Sequence, residues 1–453
     1  GANCQDEMGV ELHRKYPFLD AVCLGEGERA FPELVRRHLA GAPLAGIPGM
    51  VVRADGATIA PTARPATFPL DALPYPDFDD FFAQHAASAA AREFPPAVVF
   101  ETARGCWWGA KQHCTFCGLN GEGMGYRHKS PERFLAEVDE LSKTHGLRRF
   151  NAVDNILYPK YLSGVFDVIA EQRIDYEFFF EVKPSVGRRE QMARLYRGGI
   201  RSIQPGIESL STHVLELMDK GTTMLDNVRL LKWARYYGIR VSWNLLRGFP
   251  GETLKDYQAE FEVLRQLSHL QPPQGVGRIW LERFSPYFID RDRYPLRNIR
   301  PLESYQYVYP DTVRLDDIAY YFDYEMGDTV EETLLHETNA LVKDWRNRWA
   351  GGASSDSLRC ARTPAMLTIT DTRGRKTPLV YDIHGPMAYI YESCMETHRS
   401  VAEVVAVLDD EFPRSAFTET EVSRALEKYR DAGLMVGEDD RYFSLALPAN
   451  PNW

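Results

Sequence analysis

Three cysteines stand close together in the run Cys106-Trp-Trp-Gly-Ala-Lys-Gln-His-Cys114-Thr-Phe-Cys117. Three thiolates on one short loop can ligate three irons of a [4Fe–4S] cluster and leave the fourth iron open to chelate a small molecule. A structural zinc site is the alternative. Because zinc takes four protein ligands, His113 or a distant cysteine would have to supply the fourth. Spacing alone leaves both open, and the position of the loop after a predicted strand favours the cluster.

The cysteine count, net charge and hydropathy of the chain predict its compartment and exclude some classes of partner. The cysteine count is seven, an odd number, which argues against a secreted disulfide framework and favours a metal or cluster site in a reducing cytoplasm. The net charge is −11, from 53 basic and 64 acidic residues, and this disfavours binding to the anionic nucleic-acid backbone. No stretch approaches the roughly 18 uncharged apolar residues of a membrane helix. We therefore predict a cytoplasmic protein with no nucleic-acid and no membrane partner.

A long alternation of strand and helix patterns must position the cysteine loop. The predicted strands are residues 96–102, 148–154, 176–182, 202–206, 240–246 and 278–284, with helices between them. Six β-α repeats are too few for an eight-fold barrel, so the fold class is α/β with a partial (β/α)6 barrel. The carboxyl ends of its parallel strands would carry the chemistry.

Outside the barrel the patterns change. Residues 1–60 read as the tail of an α/β unit with a parallel sheet, and upstream residues are expected to be missing. A proline-rich linker at 61–95 follows, then the barrel at 96–300. Residues 301–360 are predicted to be a helical extension, with one helix at 328–349. Three helices and a hairpin in 361–453 predict a winged-helix-like domain.

Several runs resemble one family. They are Arg104-Gly-Cys-Trp-Trp-Gly-Ala-Lys-Gln-His-Cys-Thr-Phe-Cys-Gly-Leu-Asn-Gly121, Tyr126-Arg-His-Lys-Ser-Pro131, Val153-Asp-Asn155, Arg283-Phe-Ser-Pro286 and Ala319-Tyr-Tyr-Phe-Asp323. The cysteine triad resembles that of the radical SAM superfamily. With seven and then two residues between its cysteines, it is similar to the cobalamin-dependent radical SAM enzymes that mature ribosomally made peptides (RiPP maturation).

The resemblance implies three cofactors: a [4Fe–4S] cluster on Cys106, Cys114 and Cys117, S-adenosylmethionine (SAM), and cobalamin. It implies C-methylation of an unactivated side-chain carbon in a precursor peptide that carries a leader. The reaction would need an external one-electron reductant of the flavodoxin or ferredoxin type. No catalytic residue of the chain itself is assigned.

The resemblance also implies which residues bind SAM. They are Phe116 before the last cysteine and polar or glycine residues at strand ends: Asp154, Glu181, Lys183, Glu208, Arg247 and Gly248. A carboxylate can pair with the SAM amino group, and Lys183 or Arg247 with its carboxylate. For each polar residue, a solvated strand-end charge is the alternative. For Gly248, a plain turn is the alternative.

The N-terminal residues resemble the last segments of a Rossmann-like cobalamin-binding domain. Gly1, Ala2 and Asn3 are the implied cobalamin contacts, and the loop Gly25-Glu-Gly-Glu28 would accommodate the nucleotide tail. These residues do not by themselves establish that this chain alone binds cobalamin.

The C-terminal domain has two functional interpretations. Its third helix, at 419–432, carries about as many acidic as basic residues, so DNA binding is not expected. It resembles the leader-recognition element of peptide-modifying enzymes, in which a peptide adds a strand to the wing edge. A structural cap on the barrel is the equal alternative.

Two rival functions stay open. One is radical SAM chemistry without methyl transfer, such as epimerisation with Cys360 or Cys394 as hydrogen donor, or thioether formation. The other is a non-catalytic leader-binding scaffold.

Overall fold

The computed structural model describes residues 2–89, 93–119, 121, 124–331, 336–349, 356–413 and 415–453. The chain forms two compact units. The smaller comprises Gly1–Asp80, Thr102–Glu137 and Ile279–Asp328, and the larger comprises Phe81–Glu101, Val138–Arg278 and Thr329–Trp453. None of the described helices is both long and apolar enough to cross a membrane.

Six consecutive parallel strands form the centre of the larger unit. They are Val98–Phe100, Arg149–Ala152, Glu177–Val182, Ile200–Pro205, the interrupted strand Arg240–Val241 with Asn244–Arg247, and Gly275–Arg278. Each is parallel to the next. This confirms the predicted α/β series of parallel strands.

Helices follow these strands along the chain. They are Pro131–His145, Asp167–Gln172, Arg189–Arg197, Thr212–Leu217, Met224–Tyr237 and Leu254–Gln266. Thr223 and Thr253 each begin a helix with a capping box, in which side chain and backbone exchange hydrogen bonds.

Alternation along each strand separates a buried face from a less buried one. In Glu177–Val182, every second residue is buried, beginning with Phe178. The Phe178 ring centroid lies 5.6 Å from that of Phe150 and 6.1 Å from that of Phe166. This aromatic layer fixes the strands, and it leaves Glu181 on the opposite, half-buried face.

The predicted sixth strand, 278–284, was wrong. The parallel strand is Gly275–Arg278, and Leu281–Glu282 instead pairs antiparallel with Tyr321–Met326 in the smaller unit. The apolar pattern of 279–284 concealed this change of sheet, and the two glycines at 275 and 277 concealed the strand before it.

The N-terminal part of the smaller unit holds an antiparallel sheet rather than the predicted parallel one. Its strands are Ala21–Cys23, Met50–Ala54 and Ala57–Ile59, beside helices Asp6–Lys15 and Gly27–Leu39. The last two strands form a hairpin at Asp55-Gly56, where both residues have positive φ. Asp-Gly is a turn signal typical of hairpins.

The rest of the smaller unit is also β-rich. Ala103–Arg104 pairs with Arg127–His128, and Leu281–Glu282, Tyr321–Met326 and Leu296–Pro301 form a second antiparallel sheet. Short helices are Pro286–Ile289, Ser304–Val308 and Leu315–Ile318.

Three further expectations need correction. Residues 301–360 are not a purely helical extension, because 321–326 form a strand. Of the predicted helix 328–349, the structure has His336–Trp349, residues 328–331 are not helical, and 332–335 lie outside the described residues. The predicted linker, at 61–95, contains the helix Asp79–Ala87.

The C-terminal part of the larger unit contains the predicted three helices and hairpin. The helices are Pro386–Ser393, Val401–Glu411 and Glu419–Asp431, and Met435–Glu438 pairs with Arg441–Ser444, which also pairs with Arg399–Ser400. A second sheet has the strand order Leu379–His384, Met366–Asp371, Leu358–Arg362, Leu447–Pro448. Sequence analysis missed Leu358–Arg362 and Leu379–His384.

Candidate active site

The three predicted cluster ligands lie on one loop of the smaller unit. Cys106, Cys114 and Cys117 are each half-buried, and the described cysteines form no disulfide. The Gly109 N–H donates to Cys106 Sγ at 3.3 Å, the kind of contact that stabilises a thiolate ligand. Among the described residues, no group of three His, Cys, Asp or Glu side chains is arranged to hold a metal ion. Ligation by these cysteines stays a prediction that the donor chemistry supports.

His113, the candidate fourth ligand of a zinc site, contacts the backbone of its own loop through one ring nitrogen. Its Nε2 lies 2.8 Å from the carbonyl oxygen of Cys117. Burial lowers the His113 pKa, although the Cys117 carbonyl opposes this. Since metal-bound histidines commonly donate their second ring N–H to a backbone carbonyl, this contact by itself does not decide between a zinc site and a cluster.

The loop is anchored after its last cysteine. The Gly118 N–H donates to Glu282 Oε2 at 2.6 Å, and Tyr320 Oη donates to the Gly118 carbonyl at 2.9 Å. Earlier in the loop, the Tyr287 N–H donates to the Thr115 carbonyl at 3.1 Å. Phe116, between these two anchors, is half-buried.

The loop is also anchored before its first cysteine. Arg104 Nη2 lies 2.6 Å from Glu28 Oε1, and Arg104 Nη1 lies 3.4 Å from Glu26 Oε2. Arg127 forms a further ion pair with Glu26 and donates to the Phe68 carbonyl at 2.9 Å. Because Arg104 and Arg127 are paired across the two strands, the Gly25–Glu28 segment is held against both strands of the short sheet that flanks the cysteine loop.

The N-terminal candidates are only partly described. Ala2 and Asn3 lie in the 3₁₀ turn Ala2–Cys4, and Asn3 is exposed. Gly1 lies outside the described residues. Gly9 packs against this turn, since a Cβ at Gly9 would stand 2.4 Å from the Cys4 carbonyl oxygen.

In the larger unit, the structure brings three of the predicted carboxylates together. Asp154 is buried, and Glu181 interacts electrostatically with both Asp154 and Glu208. Burial raises the Glu181 pKa to about 7. Glu208 and Asp154 add to this shift, while Lys220 opposes it. A carboxyl group so placed responds strongly to a cation arriving beside it.

Glu208 has an unusual backbone conformation. Its φ is +59°, a left-handed value rare for a residue with a long side chain. Lys220 Nζ lies 3.1 Å from Glu208 Oε1, and a Cβ at Gly206 would stand 2.5 Å from that Nζ. The Gly206-Ile-Glu208 turn thus aims a carboxylate at a lysine that sequence analysis missed. In the sequence, the only feature that marks Lys220 is its place as a charged residue within Asp219-Lys-Gly221.

The other strand-end candidates are held by contacts with other segments of the larger unit. Lys183 is buried, and its Nζ donates to the Lys220 carbonyl. Arg247 is buried, with its guanidinium 5.7 Å from the centre of the Tyr257 ring. Gly248 has a φ of +90°, and its N–H donates to Glu252 Oε2 at 2.9 Å. Buried Glu252 organises this loop, a role that sequence analysis did not assign.

Residues 100–264 match the family model described as Radical SAM superfamily. The matched segment contains the cysteine triad and every strand-end candidate, so the chain carries a radical SAM domain. Such a domain implies a [4Fe–4S] cluster and SAM as cofactors.

The curated relatives include methyltransferases. "Uncharacterized methyltransferase PH0819" of Pyrococcus horikoshii is 27% identical over 277 residues, covering 59% of this chain and 58% of the relative. "Hopanoid C-3 methylase" of Methylococcus capsulatus is 25% identical, covering 55% and 45%. "Cobalamin-dependent radical SAM methyltransferase TokK" of Streptomyces tokunonensis is 26% identical, covering 57% and 39%. The chain spans about half the length of the curated relatives it matches.

Solved structures agree on the fold. OxsB, a cobalamin-dependent SAM radical enzyme solved with aqua-cobalamin and SAM, superposes with a TM-score of 0.54 at 16% identity, covering 76% of this chain and 53% of OxsB. The methyltransferase TsrM of Kitasatospora setae, solved with cobalamin and a [4Fe–4S] cluster, gives 0.54 at 17% identity, covering 75% and 70%. At these identities the likeness shows the radical SAM α/β fold.

Proposed function

We propose that this chain is a radical SAM C-methyltransferase that uses cobalamin and acts on a precursor peptide. The observation that carries the proposal is the half-buried loop of Cys106, Cys114 and Cys117 inside the segment that matches the Radical SAM superfamily. The methyltransferase relatives support the reaction type.

The chain's own residues supply ligands and charge. Cys106, Cys114 and Cys117 would hold the cluster, while Glu181, Glu208 and Lys183 would bind the amino-acid part of SAM. The cluster and SAM supply a carbon-centred radical when bound, and methylcobalamin supplies the methyl group. The protein's contribution is to position these groups and exclude water.

Cobalamin binding is supported by the N-terminal loop. Gly25 has a φ of +78°, and Glu26 and Glu28 are fixed by ion pairs with Arg104 and Arg127. This arrangement holds a glycine-rich loop in a defined position next to the residues that lead into Cys106. A flavodoxin- or ferredoxin-type protein would supply the electron.

An open sheet edge supports a peptide substrate. The strand Leu379–His384 is one of the two edge strands of the four-stranded sheet, and Leu379 and Val380 are 39% and 58% exposed. An extended leader could add to this edge through main-chain hydrogen bonds, with specificity from alternate side chains. The residues of Met435–Glu438, the edge strand of the predicted wing hairpin, are buried or half-buried, so we propose the Leu379–His384 edge rather than the wing edge for the peptide.

The two cysteines that could serve as hydrogen donors for epimerisation are buried. Cys360 and Cys394 are 1% and 0% exposed, and Cys360 Sγ lies 4.0 Å from Met395 Sδ. Burial first of all raises the pKa of each thiol to about 11. Thiols packed in this way serve the core rather than a substrate.

Anaerobic reconstitution with iron, sulfide and cobalamin tests the proposal. We expect wild-type protein to bind both iron and cobalt, and Cys106→Ala/Cys114→Ala/Cys117→Ala to lose the iron and the visible absorption of the cluster. Cys360→Ala/Cys394→Ala is the matched control, because it removes two thiols but leaves the loop intact. Iron without cobalt would favour radical SAM chemistry without methyl transfer. A wild-type protein that binds neither would favour the leader-binding scaffold.

A further inference from the structure

Gly118, the residue that follows the last cysteine, is hydrogen-bonded to side chains through both its backbone N–H and its backbone carbonyl. Glu282 Oε2 accepts the Gly118 N–H at 2.6 Å, and Tyr320 Oη donates to the Gly118 carbonyl at 2.9 Å. Both partners come from residues more than 160 positions away in sequence. We call Glu282 and Tyr320 the Gly118 clamp.

The clamp closes tightly on glycine. A Cβ at Gly118 would stand 2.5 Å from Glu282 Cβ and 3.3 Å from Tyr320 Oη. Gly118 is buried and Tyr320 is 8% exposed. Any larger residue at position 118 would push Glu282 away from the loop.

Two runs noted in the sequence build the clamp. The Arg283 N–H donates to the Tyr320 carbonyl at 2.8 Å, and Arg283 Nε donates to the Ala319 carbonyl at 2.6 Å. Glu282 pairs with Tyr321 across the antiparallel strands. Together, these contacts fix Glu282 and Tyr320 beside the cysteine loop. They are made by the runs Arg283-Phe-Ser-Pro286 and Ala319-Tyr-Tyr-Phe-Asp323.

We propose that the Gly118 clamp positions the Cys117 end of the cysteine loop and that Glu282 tunes the reduction potential of the bound cluster. This rests on the proposed function, since it requires a cluster on Cys117. Glu282 accepts the hydrogen bond from the Gly118 N–H. This N–H therefore does not donate to a cluster sulfur. Glu282 also places a carboxylate within hydrogen-bond distance of the residue that follows Cys117. Fewer N–H···S contacts and added negative charge both lower the potential of an iron–sulfur cluster.

Redox titration of the reconstituted full chain, followed by electron paramagnetic resonance, tests the proposal. Glu282→Gln keeps an acceptor for Gly118 and removes the charge, so we expect a more positive potential. Glu282→Ala also releases the Gly118 N–H, so we expect a shift at least as large. Glu325→Gln, an exposed position on the neighbouring strand, removes the same charge away from the clamp and should leave the potential unchanged.

A second measurement separates positioning from charge. Tyr320→Phe removes the hydrogen bond to Gly118 without altering charge, and we expect faster release of iron to a chelator. If Glu282→Gln takes up no iron, the rate of iron release from Tyr320→Phe tests the positioning role instead. A rate equal to that of wild type would overturn the positioning role of the Gly118 clamp. A Glu282→Gln potential equal to that of wild type overturns the tuning role. A wild type that binds no cluster sinks the proposed function instead.

Discussion

Arg104 Nη2 and Glu28 Oε1 lie 2.6 Å apart, although 76 positions separate the two residues. Their side chains are 23% and 24% exposed. Burial raises the Glu28 pKa, but the Arg104 hydrogen bond and charge outweigh it and leave the pKa lowered. The pair therefore joins the glycine-rich N-terminal loop to the residue two positions before Cys106.

A double-mutant cycle on this pair gives the first prediction. Arg104→Met, Glu28→Gln and the double variant should show a coupling free energy of about 1 kcal/mol in thermal unfolding, as partly buried charged hydrogen bonds do. The exposed pair Lys143 and Asp139, whose side chains are 70% and 51% exposed, is the control and should show a weaker coupling than Arg104 and Glu28. If cobalamin contacts the loop, both single variants should also weaken cobalamin binding. Equal coupling in the two pairs would mean that Arg104 and Glu28 form an ordinary surface contact.

The second prediction concerns pH and Glu181. With a pKa of about 7, the carboxyl is mostly protonated at pH 6 and mostly ionised at pH 8. If ionised Glu181 pairs with the SAM ammonium, the apparent affinity should rise about tenfold from pH 6 to pH 8, following the ionised fraction. Calorimetry in two buffers should detect proton release on binding below pH 7. Glu181→Gln should bind SAM weakly with little pH dependence.

The same pKa shift has a defined sign for stability. The folded-state pKa lies above the ordinary value of 4.5, so the native state binds more protons than the unfolded state between pH 4.5 and pH 7. The contribution of Glu181 to stability therefore decreases as pH rises through this window. Glu190→Gln, at an exposed position, should retain the wild-type pH profile for both SAM binding and unfolding. A flat wild-type binding profile would place SAM away from Glu181.

Local patterns predicted the parallel strands but not the long-range partners. The alternation of Phe178, Phe180 and Val182 is sufficient to define a strand and to place Glu181 at its open carboxyl end. Nothing near Gly118 specifies Glu282, because that choice depends on a sheet formed 164 positions later. The parallel sheet predicted for residues 1–60 failed for a related reason. Strand direction is set by the partner, and the partner is the Asp55-Gly56 hairpin.

The third prediction concerns Glu208. Its carboxylate faces Lys220 at 3.1 Å from a strained φ of +59°, and such strain is typical of sites that hold a ligand. Glu208→Gln should reduce SAM affinity by about tenfold or more, since a charged hydrogen bond contributes about 1.5–3 kcal/mol. Equilibrium binding to protein with a full iron complement is the measurement. Asp154→Asn should show a loss of the same kind, and unchanged affinity in both would make these residues strand-end charges only.

The last prediction tests peptide recognition at the Leu379–His384 edge. Val380→Glu places a charge on the exposed face of this strand, where Val380 is 58% exposed. This charge should weaken binding of the leader of the precursor peptide. Val308→Glu, at a site that is 70% exposed in the smaller unit, adds the same charge elsewhere and should bind the leader as wild type does. Because strand addition relies on main-chain hydrogen bonds, the affinity should change little with salt, whereas phosphate contacts to DNA would give a steep slope. Fluorescence anisotropy with labelled leader and with duplex DNA measures both. Tight, salt-sensitive binding of DNA would contradict the peptide assignment, and equal binding of leader to the two variants would move the peptide to another surface.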